Sequence, residues 1–181
     1  MNLSAAYGLL AHGLIFGALV SLLPLGLLRR HAALGATALA LLGGIAPAMH
    51  GFFGMPSMTL LCLALLQLVE RPAPLSPRVA LLGLSAGLAL YVLPSHWHGI
   101  DLYAEGYQPV ALLAAIAILG IMLWQQQQYR LLLAVSLSLT AYASGVFDNL
   151  WDALLDPLLL LLALGVVVRQ AVFYLIAARR R

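Results

Sequence analysis

The chain has 181 residues, 64% hydrophobic and 8% charged, with a mean hydropathy of +1.01 and a formal net charge of +3. A soluble domain carries about 25% charged residues, so too little polar material is present to coat a water-facing globule. All nine cations are arginines. The absence of lysine excludes a retinal Schiff base, a pyridoxal enzyme and a P-loop, each of which needs an amine.

A chain solvated by lipid must satisfy its backbone internally, and helices of about 20 residues do this. The expectation is an all-α, polytopic transmembrane bundle of about seven spans, forming a single integral membrane domain over residues 1–181. The N-terminus Met1-Asn2-Leu3-Ser4 has no positive region. A cleavable signal peptide is therefore not expected, and the first apolar run should remain as a span.

In chain order the first span covers 5–28 and closes at Arg29-Arg30-His31. The second, 32–47, is short and glycine-rich, and Pro47 with the following segment breaks it. The third, 58–69, stops at Glu70-Arg71. These two short segments form either two spans or one re-entrant helical hairpin; the topology downstream is the same. Arg71 to Arg78 is a proline-rich loop. The fourth span is 79–93, and the polar stretch Pro94 to Gln108 follows. The fifth, 109–124, ends in Gln125-Gln126-Gln127-Gln128-Tyr129-Arg130. The sixth is 131–147, and Asp148 to Asp156 leads into the seventh, 157–177, closed by three terminal arginines.

Arginines fall at alternate helix ends, and the positive-inside rule assigns those ends to the cytoplasm. The N-terminus is then outside and the C-terminus inside. For a bacterium, which the composition suggests, this is the inner membrane with periplasmic polar loops. Asp101, Glu105, Asp148, Asp152 and Asp156 all land outside, with only Glu70 inside. His50, His96 and His98 land outside too, and Trp97, Tyr103, Tyr107 and Trp151 lie at the level of an aromatic belt. Arginines at helix ends set topology, and nucleic acid is not an expected partner; the bilayer and a membrane protein are.

Several groups carry candidate chemistry. His96-x-His98-x-x-Asp101 offers two imidazoles and a carboxylate to a divalent metal. An interfacial loop anchored by Trp97 explains the same residues. Asp101 and Glu105 share one face if residues 100–108 form a short helix. Asp148, Asp152 and Asp156 recur every four residues, one stripe on a helix, where like charges repel by about 0.2–0.5 kcal/mol per pair. Asp156 before Pro157 reads as a helix N-cap, and Asp148 as the cap of a short helix opened by Asn149. Asp152 has no such local use. It is the first candidate for a catalytic base, with Glu105 second.

His12 and His50 are candidate partners for these acids, since an ionisable group in a span is functional by default. Arg169, inside the last span, either snorkels to the cytoplasmic end or meets an acid or an anionic lipid headgroup. Cys62 reads as a small buried hydrophobe. Ala143-Ser144-Gly145 resembles the serine motif of rhomboid-type intramembrane proteases, but no histidine follows His98, which excludes that reading.

Three functions are compatible with this pattern. One is an accessory or structural subunit of a cell-envelope membrane complex. Another is an outer-leaflet enzyme, metal-dependent, acting on a lipid-linked or phosphorylated substrate. The third is a small proton-coupled transporter using His12, His50 and Asp152.

Overall fold

A computed structural model describes residues 3–70, 75–92 and 101–179. These residues form an all-helical structure with no strand. The helices are α1 (Leu3–Val20), α2 (Arg29–Leu42), α3 (Ile45–Phe53), α4 (Met58–Val69), α5 (Pro77–Val92), α6 (Val110–Gln125), α7 (Tyr129–Ala143), α8 (Leu150–Leu154) and α9 (Pro157–Arg179). Among them, α9 is long and apolar enough over Pro157–Ala178 to cross a bilayer alone. Its 22 residues rise about 33 Å, against a hydrocarbon core of about 30 Å. The pair α2–α3 passes the same test only when taken together, and it is bent by 73°. The helices α1, α4, α5, α6 and α7 are apolar but shorter.

The broken segments depart from the sequence expectation in an instructive way. The chain bends at Gly43-Gly44, where Gly44 has φ +80°, and not at Pro47. Pro47 occupies the first turn of α3, where a missing N–H removes no intrahelical bond. The first helix stops at Val20, well short of residue 28, because Pro24 follows and the residue before a proline avoids helical geometry. Residues 21–28 instead fold back as a turn ending in a short 3₁₀ segment, Gly26–Leu28.

Close packing between α1 and α2 rests on small residues. At Gly17 a Cβ would stand 2.0 Å from Thr37 Oγ1 and 2.8 Å from the Ala33 carbonyl; at Gly13 it would stand 2.7 Å from the Leu41 side chain. Gly13 and Gly17 are four apart, the small-xxx-small spacing that lets two helix backbones approach. The opposite side of α1 buries Ala11, Ile15 and Ala18 against Leu60, Leu63 and Ala64 of α4 and Leu158 and Leu159 of α9. A second core joins Ile116 of α6, Ala141 of α7, Phe147, and Leu150 and Ala153 of α8.

One end of the bundle gathers arginines. Arg29 donates through Nε to the Ser21 carbonyl at 3.0 Å and through Nη2 to the carbonyls of Gln67 and Glu70, the latter at 3.3 Å. A cation at the C-terminal ends of α1 and α4 meets the negative ends of both helix dipoles. Arg130, at the start of α7, pairs with Glu70 at 2.7 Å. The acids other than Glu70 lie at the opposite ends of these helices.

Candidate functional site at the acidic end

The site grows from the break between α3 and α4. Gly54 has φ +74°, which favours glycine, and Pro56 follows. A helix break frees carbonyls, and each one that is buried needs a donor. Side chains of α1 supply two: His12 Nε2 donates to the Gly54 carbonyl at 2.9 Å, and Tyr7 Oη to the Pro56 carbonyl at 3.1 Å. Ser57 then caps α4, its Oγ accepting from Leu60 N at 3.1 Å. Ser57 also donates from its backbone N (2.9 Å) and its Oγ (2.5 Å) to Asp156 Oδ2. The other oxygen, Asp156 Oδ1, accepts from Leu159 N at 2.9 Å and so caps α9. One buried carboxylate thus serves two helix N-termini, where the dipoles favour negative charge.

A second tie brings in the loop before α6. Asp101 Oδ1 accepts from Tyr103 N (3.0 Å) and Ala104 N (3.1 Å), making a tight turn that leads into a 3₁₀ segment, Ala104–Gly106. Asn149 caps α8 through Oδ1 to Trp151 N at 2.8 Å, and its Nδ2 donates to the Tyr103 carbonyl at 3.0 Å. Trp151 Nε1 donates to the Leu102 carbonyl at 2.7 Å. Gly106 permits this approach: a Cβ there would stand 1.8 Å from Asn149 Oδ1. The Tyr103 hydroxyl reaches both oxygens of Asp152, at 3.1 and 3.0 Å.

Beside these contacts an open cavity of about 500 Å³ forms. Asp148, Asp152 and Asp156 line it, with Tyr91, Tyr107, Phe53, Phe147, Met55 and Ser4. Among the described residues no arginine borders it. Burial pushes the Asp152 carboxyl above the usual aspartate range and the neighbouring Asp148 adds to the rise, while the Tyr103 hydroxyl works against it. Burial, then the bond to Asp152 and its charge, push the Tyr103 phenol up. Among the described residues, three carboxylates and two tyrosine rings border this cavity, and both groups are of the kind that attract positive charge.

The sequence candidates distribute unevenly. Asp148 and Asp152 line the cavity as one group. They are not on one helical stripe with Asp156, because α8 ends at Leu154 and Leu155 is extended (φ −134°, ψ 143°). The cap of α8 is Asn149 and not Asp148, because the helix opens at Leu150 and so puts Asn149 in the N-cap position, with Oδ1 on Trp151 N. Glu105 is exposed and does not border the cavity. Asp101 spends its carboxylate on its own turn, and no helix runs over 101–108 beyond the 3₁₀ segment. His96 and His98 lie outside the described residues. Among the described residues no three His, Cys, Asp or Glu side chains converge as metal ligands. His12 bonds a backbone carbonyl rather than an acid, and its ring faces His50 with centroids 5.7 Å apart. The Arg169 guanidinium lies over the Phe173 ring, 5.6 Å from its centroid. Tyr103, Tyr91, Ser57 and Asn149 were not among the candidates. Ser57 carried a signal, a serine between proline and an apolar run that suits an N-cap; Tyr103 carried none beyond its place in the aromatic belt.

No protein family, curated protein or solved structure matches the chain.

Proposed function

We propose that the chain is a polytopic inner-membrane protein of about seven spans, with a periplasmic N-terminus and a cytoplasmic C-terminus, that serves as an accessory subunit of a cell-envelope membrane complex. Its outer cavity receives a cationic group, an arginine or lysine of a membrane-protein partner. Charge supports this reading: three carboxylates border one cavity of about 500 Å³ with no arginine among its described lining residues, while Arg29 and Arg130 sit at the other end of the bundle. Near lipid the dielectric falls, so Asp148 and the half-buried Asp152, which accepts only the Tyr103 hydroxyl, gain more from a cation than they would in water.

The test is co-purification from membranes through a C-terminal tag, with the side of the tag mapped by protease protection. A protected cytoplasmic tag and a membrane protein retained by the wild type but lost from Asp148→Asn/Asp152→Asn support the reading. A tag on the outer side, or a partner held equally by both proteins, refutes it.

A second reading draws on the convergence of segments 53–57, 101–107 and 145–157 on one cavity: an outer-leaflet enzyme with Asp152 as general base. A phosphorylated substrate would meet carboxylates there, so this version requires a divalent metal, which His96, His98 and an acid of the outer face would hold. It predicts stoichiometric metal in active protein and loss of activity in His98→Ala; active protein free of metal refutes it.

A further inference from the structure

Beside the acidic cavity, the buried His12 and the partly buried His50 each hold a ring nitrogen without a hydrogen-bond partner. His12 is 0% exposed. Its Nε2 contacts the Gly54 carbonyl, which can only accept, so the proton sits on Nε2 and Nδ1 is left with a bare lone pair. That Nδ1 is buried and has no hydrogen-bond partner, and the same is true of His50 Nδ1. The rings lie 5.7 Å apart between centroids with planes at 67°. Position 8 is what admits the second ring: a Cβ on Gly8 would stand 2.6 Å from His50 Cε1 and 2.7 Å from His50 Nδ1. Gly8 and His12 are one helical turn apart on the same face of α1, so the opening lies beside the His12 ring.

We infer that His12 and His50 form a two-coordinate site for a monovalent soft cation of the Cu(I) type. Buried polar atoms are almost always paired, and unpaired ones in the same place call for an ion or a water. The spacing fits an ion: two imidazoles bound through ring nitrogens at about 2 Å have centroids roughly 5–6.5 Å apart, from bent to linear geometry. The donor set selects the charge. Both ligands are neutral, and among the described residues no group of three His, Cys, Asp or Glu joins them. The cost of burying an ion grows with the square of its charge, so a divalent ion is disfavoured about four-fold more than a monovalent one. Zinc also asks for four ligands, whereas Cu(I) is content with two. The Gly54 carbonyl completes the arrangement: an Nε2–H bonded to a carbonyl fixes the ring and raises the basicity of the opposite nitrogen.

The experiment uses the full chain in detergent, reduced and free of oxygen, with Cu(I) titrated against a chromogenic Cu(I) chelator and Ag(I) as a redox-inert probe. Wild type takes one ion per chain. His50→Ala removes one ligand. His12→Gln removes the other while its carboxamide still donates to the Gly54 carbonyl, so the break between α3 and α4 stays closed and thermal melting reports the fold. Since loss of a supporting contact alone costs 10–100-fold in metal affinity, each substitution lowers affinity by at least about 100-fold. X-ray absorption of the Cu(I) complex shows two nitrogen neighbours. The inference is overturned if wild type takes no ion from the chelator, if both variants bind as wild type does, or if sulfur neighbours place the ion at Cys62 or a methionine.

Discussion

Replacing Asp156 tests the node that joins two helix starts. The residue is 4% exposed, and its carboxylate accepts three hydrogen bonds: from Ser57 N, Ser57 Oγ and Leu159 N. Hydrogen bonds to a charged group contribute about 1.5–3 kcal/mol each, and a buried donor left unpaired costs about 1–3 kcal/mol. In Asp156→Ala, Ser57 N and Leu159 N both lose their acceptor. The cavity alongside admits water to part of the gap, so the net loss is set at about 3–5 kcal/mol, the range for breaking a buried charged pair. In Asp156→Asn, the amide oxygen keeps Leu159 N, but the amide nitrogen faces the Ser57 N–H, donor against donor, for a loss of about 2 kcal/mol. In Ser57→Ala, the backbone bond survives, but the cap of α4 and the hydroxyl's bond to the carboxylate both go, for about 2–3 kcal/mol. With roughly 2–4 °C per kcal/mol for a chain of this size, Asp156→Ala lowers the melting temperature by about 10 °C. Thermal unfolding in one detergent, followed by circular dichroism, ranks the three variants. If Asp156→Ala melts within about 2 °C of wild type, or no lower than Ser57→Ala, the double-cap account is wrong.

Two further outcomes follow from the loop before α6. Gly106→Ala drives a Cβ into Asn149 Oδ1 at 1.8 Å and towards Trp151 Cδ1 at 2.8 Å, so α8 must separate from the 101–107 loop. The expected loss is about 1–3 kcal/mol, with a red shift of tryptophan fluorescence that a Trp151→Phe background removes; an unshifted spectrum contradicts the contact. Tyr103→Phe deletes only the hydroxyl that lowers the Asp152 value, leaving burial and Asp148 to raise it. The protonated-carboxyl infrared band, assigned by its loss in Asp152→Asn, then titrates at higher pH than in wild type; an equal or lower midpoint refutes the electrostatic reading. The linked stability has a definite sign. With the folded value above the unfolded one, the contribution is fully present at low pH and is lost as pH rises through the folded value.

The candidate site was legible to different depths. Asp156 could be read as a cap because proline at N1 is a local signal and capping is a property of three or four consecutive residues. Asp148 and Asp152 were found for a reason that did not hold: spacing by four implies a shared face only while one helix continues, and Leu155 is extended. They share the cavity because α8 is short and turns back over it. The bond from Tyr103 to Asp152 and the His12–His50 pair each join residues almost forty or more positions apart, and no local pattern encodes such a meeting. Arg29 reads in sequence only as a topology marker at a helix end, whereas its guanidinium bonds carbonyls at the ends of α1 and α4, which only the packing of those helix ends could disclose.

The amino-acid sequence by itself determined the all-helical character and the order of the helices. Hydrophobicity, proline and glycine act over a few neighbouring residues, so helix extents and helix breaks are written locally. It also determined which helix ends carry arginine and which carry carboxylate, since charge is a property of each residue alone. Tertiary structure decided which of those charged and polar groups touch. That choice depends on where the breaks at Gly43-Gly44 and Gly54-Pro56 aim the chain, and on glycines at positions 8, 17 and 106 leaving room for a neighbour to enter. Contact between distant side chains is a sum of many small packing preferences, and no single stretch of sequence contains that sum.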